Sequence, residues 1–247
     1  MEITSTNNEL VKETVKLQQK KFRDIEGKFL LEGFKAIEEA HTIGLVIDKI
    51  FVLKEKSDRY AFAKEKLIET NEAVLKKIST TDSAPEAVGV ACQKNFDTEV
   101  LKHANKVLLL EGIKDVGNLG TILRSAAAFD VDAVILYGNC TDIYNPKCVR
   151  ASVGNLCKIP VFDMNSTDGL QRYFDDFERI ATLPRSTHLL KKFKPQKRML
   201  IMFGSEADGL SQELIDYSTT SVKIEMNPAV ESLNLSISCG IILYNIN

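Results

Sequence analysis

The chain has 247 residues, 44% of them hydrophobic, and 32 basic residues stand against 34 acidic ones for a net charge of −2. That length accommodates one large or two modest globular domains, and the balanced charge confines any affinity for nucleic acid to local patches. The five cysteines (Cys92, Cys140, Cys148, Cys157, Cys239) form no C-x-x-C pair and the three histidines lie far apart, which suggests neither a zinc cluster nor a disulfide framework.

The first residues, Met1-Glu2-Ile3-Thr4-Ser5, are polar, and no apolar stretch is long enough to span a bilayer, so a cytoplasmic protein without membrane attachment is expected. From residue 7 to about 25, Leu10, Val11, Thr14, Val15 and Leu17 recur at helical spacing with Lys12, Lys16, Lys20, Lys21 and Arg23 between them. This predicts one amphipathic helix with a basic bias. A helix over residues 31–40, a strand over 49–53, a helix over 59–69 and a strand over 87–92 complete a small α/β domain spanning residues 1–95. The polar stretch 94–105 has no strong period and predicts a linker at residues 96–105.

The pattern then restarts as a second domain over residues 106–247. Val107-Leu108-Leu109-Leu110 reads as a buried strand, followed by Gly117 and Gly120 and a helix over 121–129. Further strands are expected at 133–136, 159–162, 180–183, 199–203 and 222–226, with helices between several of them. Such alternation predicts a mainly parallel sheet covered on both faces, with ligands at the carboxyl ends of its strands. Three polar turns fall there: residues 115–120, 204–209 and the stretch opening at Ser232.

Taken singly, these turns leave their roles open. Gly204 to Gly209 has the G-x-x-x-x-G frame of a phosphate loop, but Leu210 stands where lysine would neutralise phosphate, so an NTPase loop is excluded and a tight turn capped by Asp208 or Ser211 remains. Arg124 lies within an apolar helical stretch and either faces solvent or meets an anion. Glu206 and Glu231 suit helix N-termini, and Ser232 suits an N-cap, as well as they suit a site. Residues 185–198 hold six basic side chains and no acid, a solvated face or a contact for a polyanion.

In order along the chain, Asp115-x-x-Asn118-x-Gly120-x-x-x-Arg124, Phe203-Gly204-Ser205-Glu206-x-x-Gly209-Leu210-Ser211 and Glu231-Ser232-Leu233-Asn234-Leu235-Ser236 resemble the signature motifs of the SpoU (TrmH-type) RNA ribose 2′-O-methyltransferases of the SPOUT superfamily. Residues 3–33 are similar to the small substrate-binding domain of the rRNA-modifying branch, and residues 150–161 look like the family's connector between the first two motifs. The resemblance implies a deep trefoil knot in the catalytic domain, preceded by a small α/β RNA-binding domain. It also implies S-adenosylmethionine as cofactor and a homodimer whose active site draws on both subunits. By analogy Gly204, Ile224 and Leu233 contact the cofactor, and Asn118, Arg124, Glu206, Ser232 and Asn234 form the catalytic cluster. Three positions depart from the pattern: Val116 replaces a proline, Asp130 a glycine, and Ile224-Glu225-Met226-Asn227-Pro228 the common I-P-M-x-G.

The activity implied is methylation of a ribose 2′-hydroxyl in RNA, with rRNA favoured over tRNA by the N-terminal domain and DNA excluded by its lack of that hydroxyl. A guanidinium stays protonated at physiological pH, so Arg124 reads as a phosphate clamp and oxyanion stabiliser rather than a base. Ser232 and Asn234 would orient the hydroxyl or Arg124, and Glu206 would fix the cluster. The alternative from another class is a non-catalytic dimeric RNA-binding scaffold that keeps the fold, for which the altered 224–228 stretch is the main support.

Overall fold

Apolar runs too continuous to be satisfied on one face become the strands. In the computed structural model, which describes residues 1–247, the chain divides into two compact units, Met1–Lys94 with Asp142–Cys157, and Asn95–Thr141 with Lys158–Asn247. The first unit carries helices α1 (Glu9–Lys16) and α2 (Lys20–Glu26), strand β1 (Lys28–Glu32), α3 (Phe34–Thr42), β2 (Ile47–Leu53), β3 (Leu67–Thr70), α4 (Glu72–Ile78) and β4 (Ala87–Cys92). Its sheet has the order β1-β4-β2-β3, antiparallel except for the parallel pair of β2 and β3. Val11, Leu17, Leu30, Phe51, Leu75 and Val88 pack beneath it.

The basic helix expected over residues 7–25 is two helices. Arg23 donates to the carbonyls of Leu17 and Gln18 at 2.9 Å, which takes those carbonyls out of a helical ladder. The Gln18 amide reaches across to the carbonyls of Lys77, Ile78 and Ser79, capping the end of α4. The helix expected over 31–40 begins later, because Phe29, Leu30 and Leu31 are wholly buried in β1 and Gly33 turns the chain at φ 85°. The helix expected over 59–69 is a run of 3₁₀ turns over Lys54–Lys66, interrupted by non-helical backbone at Tyr60 and Ala63, and then β3. Tyr60 is fully buried with its hydroxyl donating to Glu86 at 2.9 Å, and this anchor overrides local helix preference.

The second unit adds α5 (Glu99–His103), β5 (Lys106–Glu111), α6 (Val116–Ala128) and β6 (Ala133–Tyr137). The chain then runs through α7 (Pro146–Ser152), which belongs to the first unit. It returns for β7 (Val161–Met164), α8 (Thr167–Phe174), β8 (Glu178–Thr182), β9 (Met199–Phe203), α9 (Gln212–Tyr217), β10 (Thr220–Val222) and α10 (Leu235–Ile246). Six strands in the order β10-β8-β9-β5-β6-β7 form one sheet in which every pair is parallel. The residues expected as a linker are structural: Leu101 in α5 and Ala104 are buried in this unit's core, beside Val107, Phe174 and Leu200. The strand expected over 222–226 ends as a ladder at Val222, which faces Thr182, the last residue of β8; beyond it Lys223 makes only an isolated parallel bridge, donating to the His188 carbonyl and accepting from Leu190 N.

Assignment of residues 142–157 to the second domain is corrected by their packing. Arg23 is 2% exposed and donates to Asp142 at 3.0 and 2.5 Å, Tyr144 lies 4.7 Å from the Phe29 ring, and Arg150 pairs with the buried Glu32 at 2.7 Å. A buried guanidinium needs its anion, and here the anion comes from more than a hundred residues away. Asp142→Ala therefore leaves that charge unpaired and is expected to cost about 3–5 kcal/mol in urea unfolding. An unchanged unfolding midpoint would show that Arg23 does not depend on Asp142.

Candidate active site

Because all six strands run the same way, the loops after β5, β9 and β10 emerge at one edge of the sheet. These loops carry the three polar turns. The first enters α6 earlier than the glycines suggest: Asp115 is the N-cap, its Oδ1 accepting from Asn118 N at 2.7 Å, and this places Asn118 in the first turn of the helix. The second is a closed turn, with Ser205 and Gly209 exchanging backbone hydrogen bonds at 3.1 Å. Gly204 cannot carry a side chain there, since a Cβ would lie 1.9 to 2.1 Å from the Gly209 carbonyl and the Leu210 nitrogen. The turn is tied to the sheet by Glu111 at the end of β5, which accepts from Ser211 N at 2.7 Å. Ser211, not Asp208, caps α9.

The three loops meet in a directional chain of side chains. Asn118 Nδ2 donates to Glu206 Oε1 at 2.8 Å, and Asn118 Oδ1 accepts from Asn234 Nδ2 at 3.0 Å. Asn234 Oδ1 then accepts from Ser236 N and Ile237 N and from the Ser236 hydroxyl at 2.9, 3.3 and 2.7 Å. An ionised carboxylate only accepts, so Glu206 fixes the Asn118 amide with its nitrogen toward the acid and its oxygen toward Asn234. Asn234 must then present nitrogen to Asn118 and oxygen to the helix start. The two amides and the acid admit one consistent orientation.

The same geometry separates the expected site residues. Asn118, Glu206 and Asn234 are brought together; Ser232 and Arg124 are not. Ser232 and Glu231 are exposed in the segment before α10 and hydrogen-bond to nothing in the chain, and the N-cap is Asn234 rather than Ser232. Arg124 is exposed and without a partner in the chain, and it follows Asn118 by six residues, which sets it about 120° away around α6. Ile224, Met226 and Leu233 are half-buried, and their backbone N–H groups take part in no hydrogen bond within the chain. Free backbone donors beside apolar side chains suit a flat heterocycle held through its polar edge, which is the kind of contact expected for the cofactor's adenine. Glu225, one of the departures in this stretch, pairs with Lys191 of the basic loop.

Thiol chemistry has no place at this edge. Burial pushes Cys239 of α10 up to about 12 and raises Cys140, so neither supplies a thiolate at neutral pH. Asp115, Glu111 and the capping role of Asn234 are the features sequence reasoning missed; the spacing of Asp115 three residues before Asn118 is the one signal that could have shown a cap. Asn234 couples two functions that substitution can separate. Asn234→Ala loses the cap and is expected to lower stability by about 1 kcal/mol. Asn234→Asp keeps an acceptor for the α10 N–H groups and should melt close to wild type, although it can no longer donate to Asn118. Equal loss in both variants would mean that the link to Asn118, and not the cap, holds the start of α10.

Residues 105–244 match the SpoU rRNA Methylase family, and residues 8–89 match an MRM3-like substrate binding domain. The chain is 35% identical to a tRNA/rRNA methyltransferase of Synechocystis over 98% of its own length and 92% of the relative's. It is 28% identical, over 99% of its length and 98% of the relative's, to the 23S rRNA (guanosine(2553)-2′-O)-methyltransferase RlmP of Bacillus subtilis. Among solved structures, the AdoMet-bound rRNA methyltransferase of Sinorhizobium meliloti aligns with a TM-score of 0.88 at 28% identity, covering 99% of this chain and 96% of that one. No helix of the chain is long and apolar enough to cross a membrane. With more than half its length matched by the family and both halves accounted for, the chain belongs to the SpoU rRNA methylases.

Proposed function

We propose that this protein methylates a ribose 2′-hydroxyl of ribosomal RNA with S-adenosylmethionine as donor. The observation that carries this reading is the hydrogen-bonded chain from Glu206 through Asn118 to Asn234, which joins three loops distant in sequence at the ligand-binding edge of a parallel sheet. The backbone of Ile224, Met226 and Leu233 and the side-chain-free backbone at Gly204 would hold the cofactor. When bound, it supplies an electrophilic methyl group on a sulfonium. The protein's own task is to place the 2′-oxygen in line and to stabilise the charge that develops there.

Asn118 and Asn234 are locked in orientation by Glu206 and by the start of α10, so they present fixed dipoles at the cost of no reorganisation. Two helix N-termini, those of α6 and α10, open on the same edge and favour negative charge there. Arg124 is the cation for a neighbouring phosphate and for the oxyanion, the proton leaving through phosphate or water. Ser232, exposed and unengaged, is free to meet the ribose. DNA offers no 2′-hydroxyl and is not a substrate.

Arg124, about 120° from Asn118 around the helix, faces away from the trio within its own subunit. A second copy resolves this. The outer face of α10 leaves Ile237 55% and Tyr244 73% exposed one above the other, next to α6, an apolar stripe that a homodimer would cover. In this reading the partner supplies Arg124 to each site, the terminal segment threads back through a loop of the second unit, and the protein works in the cytoplasm.

Purified protein with labelled S-adenosylmethionine is expected to label rRNA and leave matching DNA unlabelled. Arg124→Ala should abolish transfer with the melting temperature unchanged, and Tyr244→Glu should convert dimer to monomer in sedimentation and lose transfer with it. Full transfer by the Arg124 variant would remove that residue from the mechanism, and an active monomer would remove the partner.

A further inference from the structure

The N-terminal helices carry cationic side chains that the reaction centre does not use. Lys16 of α1 and Lys21 of α2 flank the ring of Phe22, with their ammonium groups 5.9 and 5.8 Å from its centroid. Phe22 is half-buried and lines a cleft of about 230 Å³ whose apolar wall is Leu17 and Val90. A half-buried aromatic ring lining a cleft, with cations beside it, can offer its face to another ring.

The polar side of the cleft is specific in its hydrogen-bonding sense. Lys28 and Lys49 both approach Oδ2 of Asp48, at 2.9 and 3.5 Å, and no group in the chain engages Oδ1. Burial pushes the Asp48 carboxyl up, but the hydrogen bond from Lys28 and the charges of Lys49 and Lys28 outweigh it and hold the group below its usual value, so its other oxygen acts as an acceptor. Glu13 and Glu26 also line the cleft. Glu13, Glu26 and Asp48 are matched in the lining by Lys16, Lys28 and Lys49, so the interior has no excess positive charge to draw in a phosphate, whereas Lys16 and Lys21 beside the ring are free to meet the phosphates that flank a bound base.

We propose that this cleft takes one unpaired nucleobase of the RNA substrate. The base stacks on Phe22, donates an exocyclic amino group to Asp48 Oδ1, and leaves its flanking phosphates to Lys16 and Lys21. Carboxylates accept from the amino group of cytosine in the same way elsewhere, and single-stranded RNA is commonly read by stacking and by its base edges. The cleft thus selects bases that carry an amino group and disfavours uracil. This inference rests on RNA being the substrate, but not on methyl transfer.

The test uses the full chain and fluorescent oligoribonucleotides of cytidine and of uridine, compared by anisotropy at one salt concentration. Wild type is expected to bind the cytidine oligomer more tightly. Phe22→Leu, which keeps an apolar side chain but no ring, should weaken that binding about tenfold, in line with the worth of a stacked base. Asp48→Asn places a donor beside the acceptor and should bring the ratio of cytidine to uridine affinity toward one. A wild type that does not distinguish the oligomers, or a Phe22→Leu variant that binds as wild type does, overturns the proposal; if Phe22→Leu fails to fold, the Asp48→Asn ratio decides. Methyl transfer to rRNA by wild type is measured in parallel. Transfer with Phe22-independent binding removes the cleft and leaves the enzyme, and Phe22-dependent binding without transfer does the reverse.

Discussion

Everything at the reaction edge depends on one amide. Asn118 donates to an acid from the loop after β9 and accepts from an asparagine at the head of α10, so a single side chain sets the relative placement of three loops. Each partner is fixed elsewhere: Asn118 by the Asp115 cap, Glu206 by the closed Ser205 to Gly209 turn, and Asn234 by the N–H groups of its helix. A polar network holds best when its members fix one another, and here each of the three side chains is engaged by at least one partner that sets its orientation. Ser232 and the starts of α6 and α10 lie at the same edge.

The parallel sheet makes that meeting geometrically inevitable. Strands β9, β5 and β8 are buried between neighbours and hold their ends level, so loops separated by about a hundred residues open side by side. Gly204 shows how tight the arrangement is, because even one methyl group would collide with the turn that carries Glu206. The first unit uses a different economy: a mixed sheet of four strands is closed by a segment returned from the second half of the chain, fixed through a buried arginine and its distant acid.

Much of this was legible in the residues, for identifiable reasons. Strands β4 and β9 fall where their unbroken apolar runs say, because continuous burial needs no tertiary information to be read. The ordered trio of motifs located the edge of the sheet, and Asn118, Glu206 and Asn234 meet there. What the sequence hid depends on partners far along the chain. Arg23 splits a periodic helix by taking its carbonyls, Tyr60 turns a helical stretch into 3₁₀ turns by docking on Glu86, and Asp142 draws a whole segment into the other unit. The choice between Ser232 and Asn234 as cap was equally invisible, since both residue types cap well and only the position of Asn118 decides. Arg124 was singled out by the resemblance, while its type and spacing left solvent or an anion open, and its direction on α6, away from Asn118, is a property of three dimensions.

An edge that acts on ribose rather than on a base reveals itself in where the transferred methyl group ends up. After transfer of labelled methyl to rRNA, alkaline hydrolysis cleaves every linkage that retains a free 2′-hydroxyl. Label is expected in alkali-resistant dinucleotides, where a methylated 2′-oxygen has blocked cleavage. Label recovered in mononucleotides would place the methyl group on a base and contradict ribose methylation.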